Sequence, residues 1–163
     1  MPDTNTLPQQ IIENSRAFTE TLSMENIVFQ NQLNGAIGMT INAFRELIVL
    51  CRDAVAVGKA GNSAQGHQNL ADAAQQALSD IQKATGEATS TKKITDSIPE
   101  MPATDLNASV VHAVSISYMN AVNAQQQAYI TQQAAATQVI STILSVATAT
   151  LAVAVKEAEG VGQ

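Results

Sequence analysis

The sequence is poor in the residues that usually build and lock a compact core. Its 163 residues include no tryptophan, aromatic side chains make up 3%, and the single cysteine, Cys51, excludes an internal disulfide. Apolar residues still account for 45% of the chain, but alanine, valine and isoleucine supply most of them. Because small side chains each bury little area, a monomer would have a thin core. We therefore expect closely packed helices, including helices from other copies of the chain.

Charge is scarce as well. Asp, Glu, Lys and Arg together make up 13% of the residues, about half the usual share, and the net charge is −6 at neutral pH. The 8 basic residues are scattered and form no stripe, so nucleic acid is not an expected partner. No basic segment followed by an apolar one begins the chain, so no secretory signal is predicted. The lone cysteine fits a reducing compartment.

The longest gap in charge lies in the C-terminal third. Between Leu106 and Val155 there is no Asp, Glu, Lys or Arg, and His112 is the only side chain there that can become charged. The run is nevertheless full of Gln, Ser, Thr and Asn. Glutamine can donate and accept hydrogen bonds between helices without the desolvation cost of a charge. Such a segment suits a helix that makes contacts on nearly every side.

Glycine and proline divide the chain into predicted segments. These are a disordered N-terminus (1–8), an N-terminal helical region (9–85) with a loop at 58–66, a Pro/Ser/Thr linker (86–104), a long uncharged helix (105–158) and a tail (159–163). Gly35 and Gly38 indicate a turn, a kink or a close approach of another helix, and the pattern does not choose among them. The alternation at 144–155 also fits a strand. The fold class predicted is all-α: a long-helix hairpin or bundle that assembles into a polymer.

The long helix has two predicted faces. One carries Val111, Tyr118, Tyr129, Ile140 and their neighbours at 3–4 spacing, and the other carries small residues that let helix backbones approach closely. The predicted assembly interface comprises Ser117, Ala121, Ala124, Gln125, Gln126, Ala128 and Ala135. His112 is a candidate pH sensor because no other charge surrounds it. The alternative is a neutral histidine that is hydrogen-bonded inside the helix packing.

No catalytic, cofactor-binding or metal site is predicted, and we expect no enzymatic activity. His67 and His112 lie far apart and lack the spacing of metal ligands or a triad. Cys51 falls on an apolar stripe at heptad spacing, which favours a buried thiol over a nucleophile. The loop at 58–66 lacks the Gly-Lys-Ser/Thr ending of a phosphate loop. A membrane span over Val139–Val155 stays open as a marginal alternative on length.

One stretch of the uncharged helix is similar to a known family. The run HAVSISYMNAVNAQQQAYITQQAAATQVISTI, with the upstream ITDSIPEMPA, resembles the Reb proteins, the bacterial killing-trait family. The matching features are Asn120-Ala121-Val122, the triplet Gln125-Gln126-Gln127, the run Ala134-Ala135-Ala136-Thr137-Gln138, and Thr95-Asp96. The resemblance covers about residues 94–150, so an extra N-terminal part of some 90 residues lies outside it.

The resemblance implies a structural function. Reb subunits build R-bodies, ribbons rolled up inside the bacterial cytoplasm that can extend, in some cases on acidification, and disrupt the membranes of an engulfing cell. A homo-polymer, with other Reb proteins as further partners, is therefore expected. The alternatives are a helical accessory or capping partner of such a polymer, and a stand-alone membrane-active helical toxin. Within the chain, Ser23–Gln32 matches Ser117–Gln126 at four of ten positions, a similarity that chance explains better than duplication.

Overall fold

Three long α-helices account for most of the residues that the structure describes. The computed structural model describes residues 6–90, 92, 93, 96, 98–100 and 108–161. Helix α1 spans Leu7–Val57, α2 spans Ser63–Ala88 and α3 spans Ala108–Val161. No strand occurs among the described residues, which confirms the all-α prediction. The alternating segment 144–155 is helical, so its interpretation as a strand is wrong. Asp105, whose side chain could accept hydrogen bonds from the first free amides of the long helix, lies outside the described residues.

The glycines have different positions from those that the sequence suggested. Gly35 and Gly38 lie inside α1, and a Cβ built on either would meet nothing within 4 Å, so they mark neither a turn nor a close approach. Gly66, predicted to end the loop, lies inside α2, and a Cβ there would stand 2.6 Å from Leu50 Cδ1. This glycine therefore allows α2 to approach α1 closely.

The connection between α1 and α2 explains why α1 ends where it does. Gly58 has φ +68, a left-handed conformation that favours glycine. The Lys59 amide donates to the Ala54 carbonyl at 3.1 Å and the Gly58 amide donates to Val55 at 3.2 Å. This pair of bonds is a Schellman motif and satisfies carbonyls that the helix end leaves free. A short link follows, and α2 turns back antiparallel to α1.

The described residues divide into two compact units. Unit 1 takes those within Met1–Gln30 and Thr85–Thr131, and unit 2 takes those within Asn31–Ala84 and Gln132–Gln163. The core of unit 1 contains Phe18, Tyr118 and Val122. The core of unit 2 contains Leu47, Cys51, Leu70, Ala147 and Ala154.

Helices α1 and α3 run parallel, with the same register in each unit. In unit 1, the rings of Phe18 and Tyr118 are 4.5 Å apart and those of Phe29 and Tyr129 are 4.3 Å apart, each pair separated by 100 residues in the sequence. In unit 2, Leu47 and Ala147 share one buried cluster. Residue n of α1 therefore corresponds to residue n + 100 of α3, a different register from that of the faint sequence similarity.

The buried positions repeat every 18 residues along both long helices. On α3 they include Tyr118, Ala136 and Ala154, and on α1 they include Phe18, Ala36 and Ala54. Eighteen residues make five turns at 3.6 residues per turn, whereas a heptad repeat needs 3.5 and imposes a supercoil. The heptad stripe that the sequence suggested on α1 comprises Ile37, Ile41, Phe44, Ile48, Cys51 and Val55. Cys51 is buried, Ile48 is exposed and the others are half-buried, so the stripe borders the buried face and does not form it. The buried pattern thus matches a straight helix and not a coiled coil.

Candidate assembly surface

The small residues predicted for assembly lie on the outer side of α3 in unit 1. Ser117, Ala124 and Ala128 are exposed, and Ala121 is half-buried. The side with Tyr118, Val122 and Tyr129, about a third of a turn away around the helix, is buried against the rest of unit 1. The structure therefore separates the two predicted faces of α3 as an inner and an outer face.

The same outer line of α3 continues through unit 2. Ala135 is exposed, and exposed residues follow it at the same 3–4 spacing as far as Val153. Val139, Val146 and Val153 are 42%, 48% and 55% exposed, which is unusual for side chains so apolar. We call the whole line the α3 stripe; it comprises Ser117, Ala121, Ala124, Ala128, Thr131, Ala135, Val139, Thr142, Val146, Ala149 and Val153. The valines of this line were not predicted from the sequence, although they continue the 3–4 spacing from Ala135.

The hydroxyl groups of the stripe are bonded within α3 itself. Thr142 Oγ1 donates to the Gln138 carbonyl at 2.8 Å, Thr131 Oγ1 donates to Gln127 at 2.9 Å, and Ser117 Oγ donates to Ala113 at 3.1 Å. This bonding to the carbonyl four residues back is usual for Ser and Thr in helices. It leaves methyl groups and methylenes on the surface, so the stripe is less polar than its sequence suggests.

Gln125 and Gln126, predicted in the same interface, lie elsewhere. Gln125 Nε2 donates to the Leu22 carbonyl of α1 at 3.0 Å and also contacts the Tyr129 hydroxyl. Gln126 Nε2 is buried and has no hydrogen-bond partner among the described residues. Both side chains border a small polar cleft of unit 1 that also involves Glu25 and Lys93, whose charged groups are 3.8 Å apart. Gln125 thus holds α1 and α3 together within one chain.

The environment of Tyr129 is both apolar and negative. Burial raises the pKa of Tyr129, the hydrogen bond from Gln125 lowers it in part, and the nearby Glu25 carboxylate raises it further. The tyrosine is therefore held as a neutral phenol.

His112 is exposed on α3. This exposure does not place it inside the packing of one copy, and the alternative of a neutral histidine hydrogen-bonded inside helix packing stays a prediction for the assembly. Its role as a pH sensor stays a prediction. The other histidine, His67 on α2, lies 3.2 Å from the Thr148 hydroxyl on α3.

Unit 2 has an open apolar groove between α1 and α3. Its volume is about 750 Å³. The α1 wall carries Ile48, Cys51, Arg52, Val55 and Ala56, and the α3 wall carries Val146, Ala149, Thr150, Val153, Ala154 and Glu157. Arg52 and Glu157 are the charged residues of the groove, one on each wall.

Cys51 is buried at the base of this groove. Burial raises the pKa of its thiol, which disfavours the reactive thiolate. Among the described residues, no group of three or more His, Cys, Asp or Glu is arranged to hold a metal ion.

Of the described helices, α3 has the length and composition that a membrane span requires. Its most apolar window of 18 residues has a mean hydropathy of 1.9, and 17% of that window is buried in the structure. A soluble core helix would be mostly buried. The exposed part of α3 is therefore expected to contact either another protein or lipid.

The segment with this exposed helix matches a known family. Residues 90–150 match the family model RebB, described as killing trait, which confirms the resemblance expected for about residues 94–150. The match includes α3 as far as Thr150 and leaves α1 and α2 outside it. No curated protein and no solved structure matches the chain.

Proposed function

We propose, from the RebB killing-trait segment at residues 90–150, that the protein is a structural subunit that self-assembles through its long helices into R-body-type ribbons. The observation that carries the proposal is the α3 stripe, an uncharged surface on the family segment that the chain itself leaves exposed. Large exposed apolar surfaces on soluble proteins mark interaction sites. A second copy would cover the stripe without burying any charge.

The spacing of the stripe supports contacts along its whole length. From Ser117 to Val153 it follows the 3.6-residue period, so it stays on one side of a straight helix. A heptad stripe would drift around the helix and would require supercoiling to stay in contact. Straight helices can lie side by side in a flat array, which is the geometry that a ribbon needs. Burying the exposed half of one such valine would contribute roughly 1 kcal/mol in each copy.

The wider biological role belongs to the same proposal. The ribbon would be stored as a polymeric inclusion in the bacterial cytoplasm, alone or with other Reb proteins. Extension would then bring it against the membrane of an engulfing cell. The role is structural, with no catalytic step, cofactor or nucleic acid.

Negative-stain electron microscopy of the purified chain tests assembly directly. We expect ribbons or rolls. Discrete particles under all conditions, with no ribbon when other Reb-type proteins are added, would contradict the proposal.

A stand-alone membrane-active helix is the second candidate, because α3 is long and apolar enough to enter a bilayer. Liposome leakage separates the two functions. Leakage caused by unassembled protein would favour the toxin, whereas leakage that appears only with assembled ribbons would favour the structural subunit.

A further inference from the structure

Unit 2 has an internal pseudo-symmetry. Its parallel helices α1 and α3 are paired so that residue n corresponds to residue n + 100. Buried alanines occupy the equivalent positions 36 and 136, and also 54 and 154, while Leu47 and Ala147 lie in one cluster. Two parallel helices that meet through equivalent residues are related by a local two-fold axis parallel to them. Such a pair has two equivalent grooves, one on each side.

Helix α2 fills one of these grooves. Gly66 of α2 lies against Leu50 of α1, and His67 of α2 contacts Thr148 of α3. The pseudo-symmetry equivalents of Leu50 and Thr148 are Thr150 and Ile48. Both of these line the open apolar groove. The open groove is therefore the pseudo-symmetry equivalent of the groove that α2 fills, and it could accommodate another helix.

The outer face of α2 from another copy would not pack well in the open groove. It carries Gln68 and Gln76, which donate to the carboxylates of Asp72 and Asp80 at 2.9 Å and 2.8 Å. Placing these carboxylates in an apolar groove would cost their hydration. The inner face of α2 is already used within its own chain. The occupant must therefore bring an apolar surface with few charges.

We propose that the groove is covered by the same groove of a second copy, related by a two-fold axis parallel to α1 and α3. This inference rests on the proposed assembly and specifies one of its contacts. In such a pair the α1 wall of each copy faces the α3 wall of the other. Arg52 of each copy then faces the α3 wall of the other copy, which carries Glu157. The dimer would therefore contain two pairs of opposite charge, one on each side of an apolar centre. Antiparallel pairing would set like walls against each other and lose this match.

Two adjacent residues of α1 provide a matched test. Ile48 lines the groove and Val49 does not, and their exposures are 43% and 46%. We expect Ile48→Asp to raise the dissociation constant of the two-copy species by about 100-fold or more, because an unpaired carboxylate would be buried. Val49→Asp should leave it within about threefold. Mass photometry of the soluble fraction measures the species, and circular dichroism checks that both variants stay helical.

Charge reversal tests the orientation. Arg52→Glu alone sets Glu against Glu157, and Glu157→Arg alone sets Arg against Arg52, so each single variant should dimerise about tenfold more weakly or worse. Mixed together, the two variants form a heterodimer in which both pairs are opposite in charge, and we expect dimerisation to return. A pairing within one chain would not be restored by mixing.

The outcomes separate this inference from the proposed function. Dimerisation that survives Ile48→Asp, or is lost equally with Val49→Asp, overturns the groove contact. Failure of the mixed charge variants to pair overturns the two-fold orientation. Ribbons of normal form from Ile48→Asp protein would overturn the groove contact while leaving assembly intact. Groove binding to lipid vesicles by a chain that stays monomeric would also overturn it.

Discussion

At the scale of the residue, Gln125 and Tyr129 join α3 to α1 through a polar contact in an apolar interface. Gln125 Nε2 donates to the Leu22 carbonyl and contacts the Tyr129 hydroxyl, while the Tyr129 ring packs against Phe29. Buried polar groups are stabilising only when they are satisfied in this way. A glutamine in an uncharged run can thus be a fixed structural element and not a surface for partners.

Gln125→Ala should lower the free energy of unfolding by about 1–2 kcal/mol, because a buried hydroxyl loses its partner. Gln127→Ala is the control, since Gln127 lies two residues further along the same helix and is exposed. This change should alter the free energy of unfolding by less than about 0.5 kcal/mol. Urea unfolding measures both. Equal effects would show that Gln125 makes no specific contact.

Alkaline pH should destabilise the chain through Tyr129. Its pKa is raised in the folded state by burial, so the folded protein retains a proton that the unfolded chain releases above about pH 10. Stability that is fully present below that pH is therefore lost as the pH rises through the folded pKa. We expect the urea midpoint of the wild type to fall more steeply above this pH than that of Tyr129→Phe. Parallel curves would contradict the prediction.

At the scale of the element, each long helix combines an inner and an outer surface. The inner face of α3 buries Tyr118, Tyr129 and Ile140, and the outer face carries the α3 stripe. Small side chains keep both surfaces smooth, so neighbours can approach closely. Within a chain, Gly66 is one point where α2 approaches α1 this closely.

Gly66→Ala and Gly35→Ala should have different effects on stability. Each replaces a helical glycine, which by propensity alone would gain roughly 0.5–1 kcal/mol. At Gly35 nothing lies within 4 Å of the new Cβ, so we expect the full gain. At Gly66 the new Cβ meets Leu50 Cδ1 at 2.6 Å, so repacking should cancel the gain or cause a net loss. Thermal or urea unfolding distinguishes them, and equal gains would mean that α2 does not pack closely there.

Ala124→Leu tests the unit 1 part of the α3 stripe. Ala124 is exposed within one chain and leucine is a good helix former, so circular dichroism and monomer stability should stay unchanged. At a close helix contact between copies, the larger side chain should cost roughly 1–3 kcal/mol in each subunit. We therefore expect ribbons to be lost or distorted.

Ala60→Leu, in the exposed α1–α2 connection, is the control and should assemble normally. Ribbons of normal width and yield from the Ala124→Leu protein would show that this part of the stripe is not a packing surface.

At the scale of the whole molecule, the chain is acidic overall, yet the α3 stripe carries no charged residue. Its net charge of −6 causes electrostatic repulsion between copies at neutral pH. The net charge becomes less negative as carboxylates gain protons near pH 4. A histidine gains charge earlier, between about pH 7 and 6. Acid is therefore expected to reduce the repulsion between copies in two stages, first when histidine gains a proton and then when the carboxylates do.

His112→Gln tests the earlier stage. His112 is exposed on α3 and lies in the run without other charges, so in an assembly its protonation would place a new charge beside uncharged neighbours. We expect His112→Gln to shift any change in ribbon form that occurs near pH 6, followed by light scattering and microscopy. The matched change His67→Gln on α2 should not shift it. An unmoved transition would assign the response to carboxylates such as Asp96 and Glu100.

The sequence by itself determined the elements and their faces. The lack of charge, glycine and proline between Leu106 and Val155 predicted the long helix, and the 3–4 spacing correctly placed Tyr118 and Tyr129 on one side of it and the small residues on another. The killing-trait resemblance was also readable, because it lies in local runs such as the Gln triplet. These features depend on neighbours along the chain, which is what a sequence records.

Only the tertiary structure decided which helices pair and in what register. A pattern with the helical period is nearly unchanged by a shift of 18 residues, so periodicity alone does not select a partner. Two aromatic pairs select the shift of 100 residues: Phe18 with Tyr118, and Phe29 with Tyr129. In each helix these two residues are eleven positions apart, so both pairs form in the same register. The same packing turned Gln125 inwards, made Gly66 a contact point, and left the valines of the α3 stripe uncovered. These outcomes depend on how surfaces far apart in the sequence fit each other, and so they appear only when the helices are brought together.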